Sequence, residues 1–149
     1  MATVFDVAAY ILKKQSPVTA WKLQKLVYYA QAWSTVWDDE VLFPQHIEAW
    51  ANGPVCPALY EVHKGKFKID SVSKGDHAKL SAAQRETVDA VLDYYGKRSA
   101  QYLSELSHSE RPWKEARKGL EPTERGNKVI TPAAMAEYYG SLHKKQSNR

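Results

Sequence analysis

The stretch TAWKLQKLVYYAQAWSTVW, Thr19 to Trp37, decides how this chain folds. Thr19 is suited to cap a helix, because its hydroxyl can accept from an orphan N–H in the first turn. Leu23, Leu26, Val27, Ala30, Trp33 and Trp37 then recur at helical spacing, and Tyr28, Tyr29 and Ala32 widen the stripe until little polar surface remains beyond the second turn. A helix that is apolar nearly all round needs cover on most sides. The spacing therefore predicts a helix from about Ala20 to Val36 that forms the central pillar of a helical domain. The same pattern argues against a DNA-recognition helix. Lys22 and Lys25 are its only cations, and a groove-reading helix keeps one polar face.

The flanking sequence supplies the cover. Val4, Val7, Ala8, Ile11 and Leu12 mark a helix over Phe5–Lys14, ended by Pro17. After the pillar, Asp38, Asp39 and Glu40 make a solvated acidic turn. Val41–Phe43 and Ile47–Trp50 flank Pro44 and Gln45, and this predicts a hairpin. Asn52, Gly53 and Pro54 force a bend, Pro57 opens a short helix to His63, and Phe67–Val72 reads as a strand or extended loop. Ser81 and Gln84 form a capping-box pattern for a helix to Tyr95, with Gly96 as its stop. Further helices are expected over Ala100–Leu106, from Pro112 and Trp113 through Arg117, and from Thr131 and Pro132 to about Lys144, with Gly119–Lys128 a polar loop. The expected fold class is mainly α: one compact domain of about six helices with a small β hairpin, spanning 1–143, then a flexible basic tail over 144–149.

Composition removes several functional classes. At 149 residues, 44% hydrophobic and 26% charged, the chain is large enough to build a core without a metal or disulfide. The single cysteine, Cys56, excludes an internal disulfide and a zinc ribbon, and fits a reducing cytoplasm. The charge-free run Leu26–Trp37 is twelve residues, short of the ~20 needed to cross a bilayer, so no membrane association is expected. Asp6 inside the first apolar run argues against a signal peptide. The net charge of +4 is spread thinly, with eight lysines against seven acids over residues 1–75, so charge alone does not indicate nucleic acid.

Catalytic and ligand-binding patterns are sparse. His46, His63, His77, His108 and His143 are scattered without metal-ligand spacing, and no glycine cluster forms a phosphate loop, so neither metal nor cofactor is expected. Cys56 with His63 or His108 could compose a thiol nucleophile, but a lone cysteine between Val55 and Pro57 reads as a small buried hydrophobe. Ser107-His108-Ser109-Glu110 reads as a helix end and turn rather than a triad, since sequence neighbours there do not converge. The pairs Asp38/Asp39 and Glu121/Glu124 fall in solvated loops, and Lys64, Lys66 and Lys68 around Phe67 form a solvated strand face. No catalytic residue is expected.

Three blocks carry a specific resemblance. They are Leu23-Gln24-Lys25-Leu26-Val27-Tyr28-Tyr29-Ala30-Gln31, Glu48-Ala49-Trp50-Ala51-Asn52-Gly53-Pro54-Val55-Cys56-Pro57-Ala58-Leu59-Tyr60, and Leu106-Ser107-His108-Ser109-Glu110-Arg111-Pro112-Trp113-Lys114-Glu115-Ala116-Arg117. Together they resemble the Panacea domain, also called the SocA-like antitoxin domain and found in phage-associated GepA-like proteins, over roughly Val4 to Tyr139. Cys56 and Ser107 are mild departures from its pattern. The resemblance implies a bacterial or phage antitoxin of a toxin–antitoxin system. It would neutralise a protein toxin encoded by the adjacent gene through direct contact, with one branch delivering the toxin to a ClpXP-type protease. The alternative function is a nucleic-acid-binding regulator of its own operon.

The residues also have a scaffold reading of their own. Gly53 and Pro54 turn a corner that aims Val55 and the helix carrying Leu59 and Tyr60, and Glu48 is placed to accept from a nearby helix start. Pro112 and Trp113 wedge a ring between helices, with His108 offering ring nitrogens to a backbone carbonyl. Leu23, Lys25, Leu26, Tyr28 and Trp50 complete the set of motif residues expected to serve the core or the partner contact.

Overall fold

The structure, a computed structural model, describes residues 1–147. In chain order the elements are α1 (Val4–Lys14), β1 (Val18–Thr19), α2 (Ala20–Trp37), β2 (Ile47–Trp50), β3 (Gly53–Val55) and α3 (Pro57–His63). These are followed by β4 (Lys68–Ile69), α4 (Ala82–Tyr95), α5 (Ala100–Ser109), α6 (Arg111–Ala116), β5 (Val129–Ile130) and α7 (Pro132–Ser147). A 3-10 turn, His77–Lys79, precedes α4. The fold is mainly α, as the periodicity predicts, with seven helices among the described residues rather than about six.

α2 is the pillar. Thr19 caps it, its hydroxyl accepting from the Lys22 N–H at 3.2 Å, and every residue from Leu23 to Thr35 is buried. It packs against α1, α3, α4, α5 and α7. An apolar helix surface is driven to such a position by the water it releases. Only its end emerges, where Trp37 is 41% exposed and stacks on Trp33 at 4.9 Å between ring centroids. α1 is fixed at its start by a capping box between Thr3 and Asp6, and α4 by the expected one between Ser81 and Gln84. α3 starts at Pro57 and ends at His63, as read from the proline.

The hairpin is not where the apolar runs place it. β2 pairs antiparallel with β3, Glu48 opposite Val55 and Trp50 opposite Gly53, and on its other edge with β5, Ile47 opposite Ile130. Val41–Phe43 is not a strand, because the Gln31 side chain of α2 occupies its backbone. Gln31 Oε1 accepts from the Leu42 and Phe43 N–H groups at 2.7 and 3.3 Å, and Nε2 donates to the Phe43 carbonyl at 2.8 Å. Of the extended stretch predicted over Phe67–Val72, Lys68 and Ile69 form β4, paired with β1. α5 continues to Ser109, three residues past the expected end at Leu106. α7 likewise runs through Lys144–Ser147, where a tail is expected, and the last two tail positions, 148–149, lie outside the described residues.

Candidate functional site

The three motif blocks meet at one corner of the molecule, beside the middle of α2. The corner is built from the β2–β3 turn. Gly53 has φ +114°, a conformation that a side chain strains against, and a Cβ there would lie 2.6 Å from Lys25 Cε and 3.4 Å from Ser107 Oγ. So all three blocks touch at this glycine: Lys25 from the first, Gly53 from the second and Ser107 from the third.

Lys25 is the unexpected member. It sits in the second turn of α2, where a cation usually reaches solvent, yet it is 1% exposed. Its Nζ donates to the Pro54 carbonyl at 3.4 Å and lies 5.5 Å from the centre of the Trp21 ring. No carboxylate pairs with it among the described residues. Burial pushes its pKa down to about 7, because a dry environment disfavours the charged form. A groove-facing role for this lysine is therefore excluded by its position.

Two histidines flank it. His63 is buried, and its Nε2 lies 2.9 Å from Gln24 Nε2. With the amide as donor, His63 Nε2 is the acceptor and the ring proton is on Nδ1. The same Gln24 amide clamps Cys56, Oε1 accepting from its N–H at 2.8 Å and Nε2 donating to its carbonyl at 3.2 Å. His108 stacks on Trp113 at 4.2 Å between centroids, and its Nε2 is buried with no hydrogen-bond partner among the described residues. Burial and then the Lys25 charge lower the pKa of His108 and, together with its own surroundings, of His63.

The remaining motif residues are structural supports. Leu23, Leu26, Val55 and Leu59 are fully buried, and Tyr28 is 1% exposed with its hydroxyl 3.0 Å from that of Tyr139. Trp113 is wedged as expected, and its Nε1 donates to the Trp50 carbonyl at 2.7 Å, tying buried Pro112 and α6 to β2. Tyr60 meets Trp50 edge to face at 5.0 Å. Glu48 does not cap a helix. Its Oε1 accepts from Trp50 Nε1 and its Oε2 lies on His46 Nε2, each at 2.8 Å, because residues two apart along an extended strand share a face.

Arg117, which the sequence reading took only as a helix end, organises the other wall. It is 4% exposed, and its guanidinium lies 5.1 Å from the Trp113 ring centre. It donates to the carbonyls of Ala49 and Glu121, each at 3.0 Å, and of Glu124 at 2.5 Å. The loop that follows is thereby held so that Arg125, Gly126 and Asn127 face Trp21, Trp50 and Tyr60 across a cleft of about 650 Å³.

None of the candidate nucleophiles is assembled for reaction. Burial raises the Cys56 pKa, the thiol is 1% exposed, and the His63 Nε2 is taken by Gln24. Ser107 Oγ donates within its own helix to the Ser104 carbonyl at 3.0 Å. Among the described residues no group of three or more His, Cys, Asp or Glu is placed to hold a metal, and no helix is long and apolar enough to cross a membrane.

A second buried polar centre lies under α7. Glu110, between α5 and α6, is 5% exposed, and its Oε1 accepts from the Tyr29 hydroxyl at 2.7 Å and the Tyr139 hydroxyl at 2.8 Å. Burial holds the carboxyl pKa above its ordinary value, and the hydrogen bonds from the two phenols offset only part of that rise. Sequence reading assigned Glu110 to a solvated turn. The available signal was the trio of tyrosines at Tyr28, Tyr29 and Tyr139, each needing a partner for its hydroxyl if buried.

Comparison with known families agrees with this convergence. A family model described as antitoxin SocA-like, Panacea domain, matches residues 23–114, from the first residue of the first block into the third. That is narrower than the Val4 to Tyr139 span of the resemblance. No curated protein and no solved structure matches the chain.

Proposed function

The chain belongs to the SocA-like, Panacea-domain antitoxin family, and from that premise we propose that it neutralises a protein toxin encoded by the adjacent gene, by stoichiometric binding and without catalysis, in the cytoplasm. The observation that carries the proposal is the family match over residues 23–114, which includes all of the first two blocks and most of the third. The way those blocks lock into one corner supports a rigid binding body. Preorganised surfaces bind with less loss of conformational freedom, and a stable complex asks for an interface of roughly 1,200–2,000 Å² in total. The sealed thiol, the self-bonded serine and the occupied histidine favour binding over turnover.

Co-expression with the product of the adjacent reading frame tests this. Growth is restored and the two chains co-purify at a fixed ratio that survives moderate salt. Failure of both rescue and co-purification refutes the proposal. A complex with upstream DNA that weakens steeply with salt would instead point to the regulator. Adding a ClpXP-type protease separates blocking from delivery: an adaptor accelerates toxin degradation, whereas a blocker leaves its rate unchanged.

A further inference from the structure

The Glu110 carboxylate is half satisfied. Oε1 accepts from both tyrosine hydroxyls, while Oε2 accepts no hydrogen bond among the described residues. Burying a carboxylate without a counter-ion is costly, and none pairs with it among the described residues. Arg111, its sequence neighbour, turns to Glu115 and Glu137 and lies 5.6 Å from the Tyr138 ring centre, and the nearby Arg98 lies over Tyr94 and Tyr102.

Glu110 lines a groove of about 550 Å³ between the ends of α2, α4, α5 and α7, and among the described residues it is the only ionisable acid or base in the lining apart from tyrosines. The walls are Trp33, Trp37, Tyr94, Tyr95 and Tyr138. Two of these are among the few large hydrophobic side chains left in solvent, Trp37 at 41% and Tyr94 at 59%. Aromatic faces attract cations through their quadrupole, and a carboxylate completes such a site with a directed charge-assisted hydrogen bond. A neutral apolar ligand would leave the carboxylate dry and unpaired, and an anion would be repelled.

We propose that this groove receives an arginine or lysine side chain of the protein toxin, with Glu110 Oε2 as its counter-ion and the tryptophan and tyrosine rings as its walls. The proposal rests on the toxin-binding reading above and names the surface that would perform it. The lining of this groove shares no residue with that of the cleft at the β2–β3 corner, so the motif corner holds the body rigid while this groove makes the contact.

The test has two arms. In the first, N-acetylarginine amide is titrated into the protein and the indole N–H signals of Trp33 and Trp37 are followed by NMR, with N-acetylcitrulline amide as the neutral near-isostere. The expected result is saturable shifts with the arginine compound, at least tenfold weaker ones with citrulline, and loss of the arginine response in Glu110→Gln. In the second, Glu110→Gln and Trp37→Ala are assayed for toxin binding, and each weakens the complex at least tenfold while circular dichroism and melting stay native. Trp37→Ala keeps the arm decisive if Glu110→Gln unfolds, since Trp37 stands outside the tyrosine–carboxylate network. Equal binding of citrulline and arginine compounds, or an undiminished toxin complex in the folded variants, overturns the proposal. A wild-type chain that responds to arginine but neither rescues nor binds the toxin refutes the function and keeps the cation site, so the two failures are separable.

Discussion

Lys25 makes stability a function of pH in a window where few other groups act. Its folded pKa is about 7, against 10.5 for the free side chain. Between those values the unfolded chain binds a proton that the folded chain does not, so stability rises with pH from about 7 to 10.5 and levels off below about 7, where both states are protonated. Integrated from pH 7 to 9, one such group contributes about 2 kcal/mol, starting from half protonation and approaching ~1.4 kcal/mol per pH unit. His63 and His108, also lowered, act in the same sense but below their ordinary value of 6.5. The buried tyrosines, raised above 10, cost stability only above that pH. Urea denaturation at pH 7, 8 and 9 should therefore show the midpoint moving up by roughly 1 M in total, taking a urea slope of about 2 kcal/mol per molar. Lys25→Met keeps the length of the side chain without the titrating amine and flattens the dependence. If wild type and Lys25→Met show the same slope across this window, the dry environment assigned to the amine is wrong.

Gly53→Ala introduces both a positive-φ strain and a contact with Lys25 Cε, and should destabilise by about 2–4 kcal/mol. In a Lys25→Ala background the contact part disappears and the strain remains, so a double-mutant cycle by denaturant unfolding should show coupling, and simple additivity would contradict the packing described. Gln31→Leu strips the partners from the Leu42 and Phe43 backbone and should cost about 2–4 kcal/mol, with faster hydrogen exchange at those two amides. Arg117→Met removes the clamp on the Glu121 and Glu124 carbonyls. Amide exchange over residues 119–128 should then rise at least tenfold while α2 amides keep their protection, and unchanged exchange in the loop would deny Arg117 its organising role.

What the sequence revealed and concealed divides along physical lines. α2, α3 and the start of α4 were legible because their signals are local: an all-round apolar stripe, a proline at a first turn, and a serine with a glutamine three residues on. The motif residues Gly53, Pro54 and Trp113 were legible as corner and wedge for the same reason. The hairpin was misplaced because a pair of short apolar runs cannot register that a side-chain amide eleven or twelve residues upstream takes the backbone first. β5 was missed because its pairing with β2 spans about eighty residues and leaves no local pattern in a two-residue strand. Lys25 and Glu110 were concealed most thoroughly. A lysine in the second turn of a helix and a glutamate after a serine both look solvated until the tertiary fold closes over them, and nothing in their neighbours announces it.

Two buried ionisable groups, Lys25 and Glu110, distinguish the motif corner from the aromatic groove. Among the described residues Lys25 pairs with no anion and Glu110 with no cation, and they belong to different centres: the lysine under the Gly53 corner, the glutamate under the aromatic groove. Were the purpose only stability, apolar residues of similar size would serve as well or better, because an unpaired buried charge is a net cost. The lysine sheds that cost by losing its proton, as its depressed pKa states. The glutamate is pushed the same way, since burial raises its pKa and the two phenols offset only part of that rise. A cation entering the groove would move that balance toward the carboxylate. The motif corner is thus closed on itself, whereas Glu110 lines an open groove that the proposed cationic contact would complete.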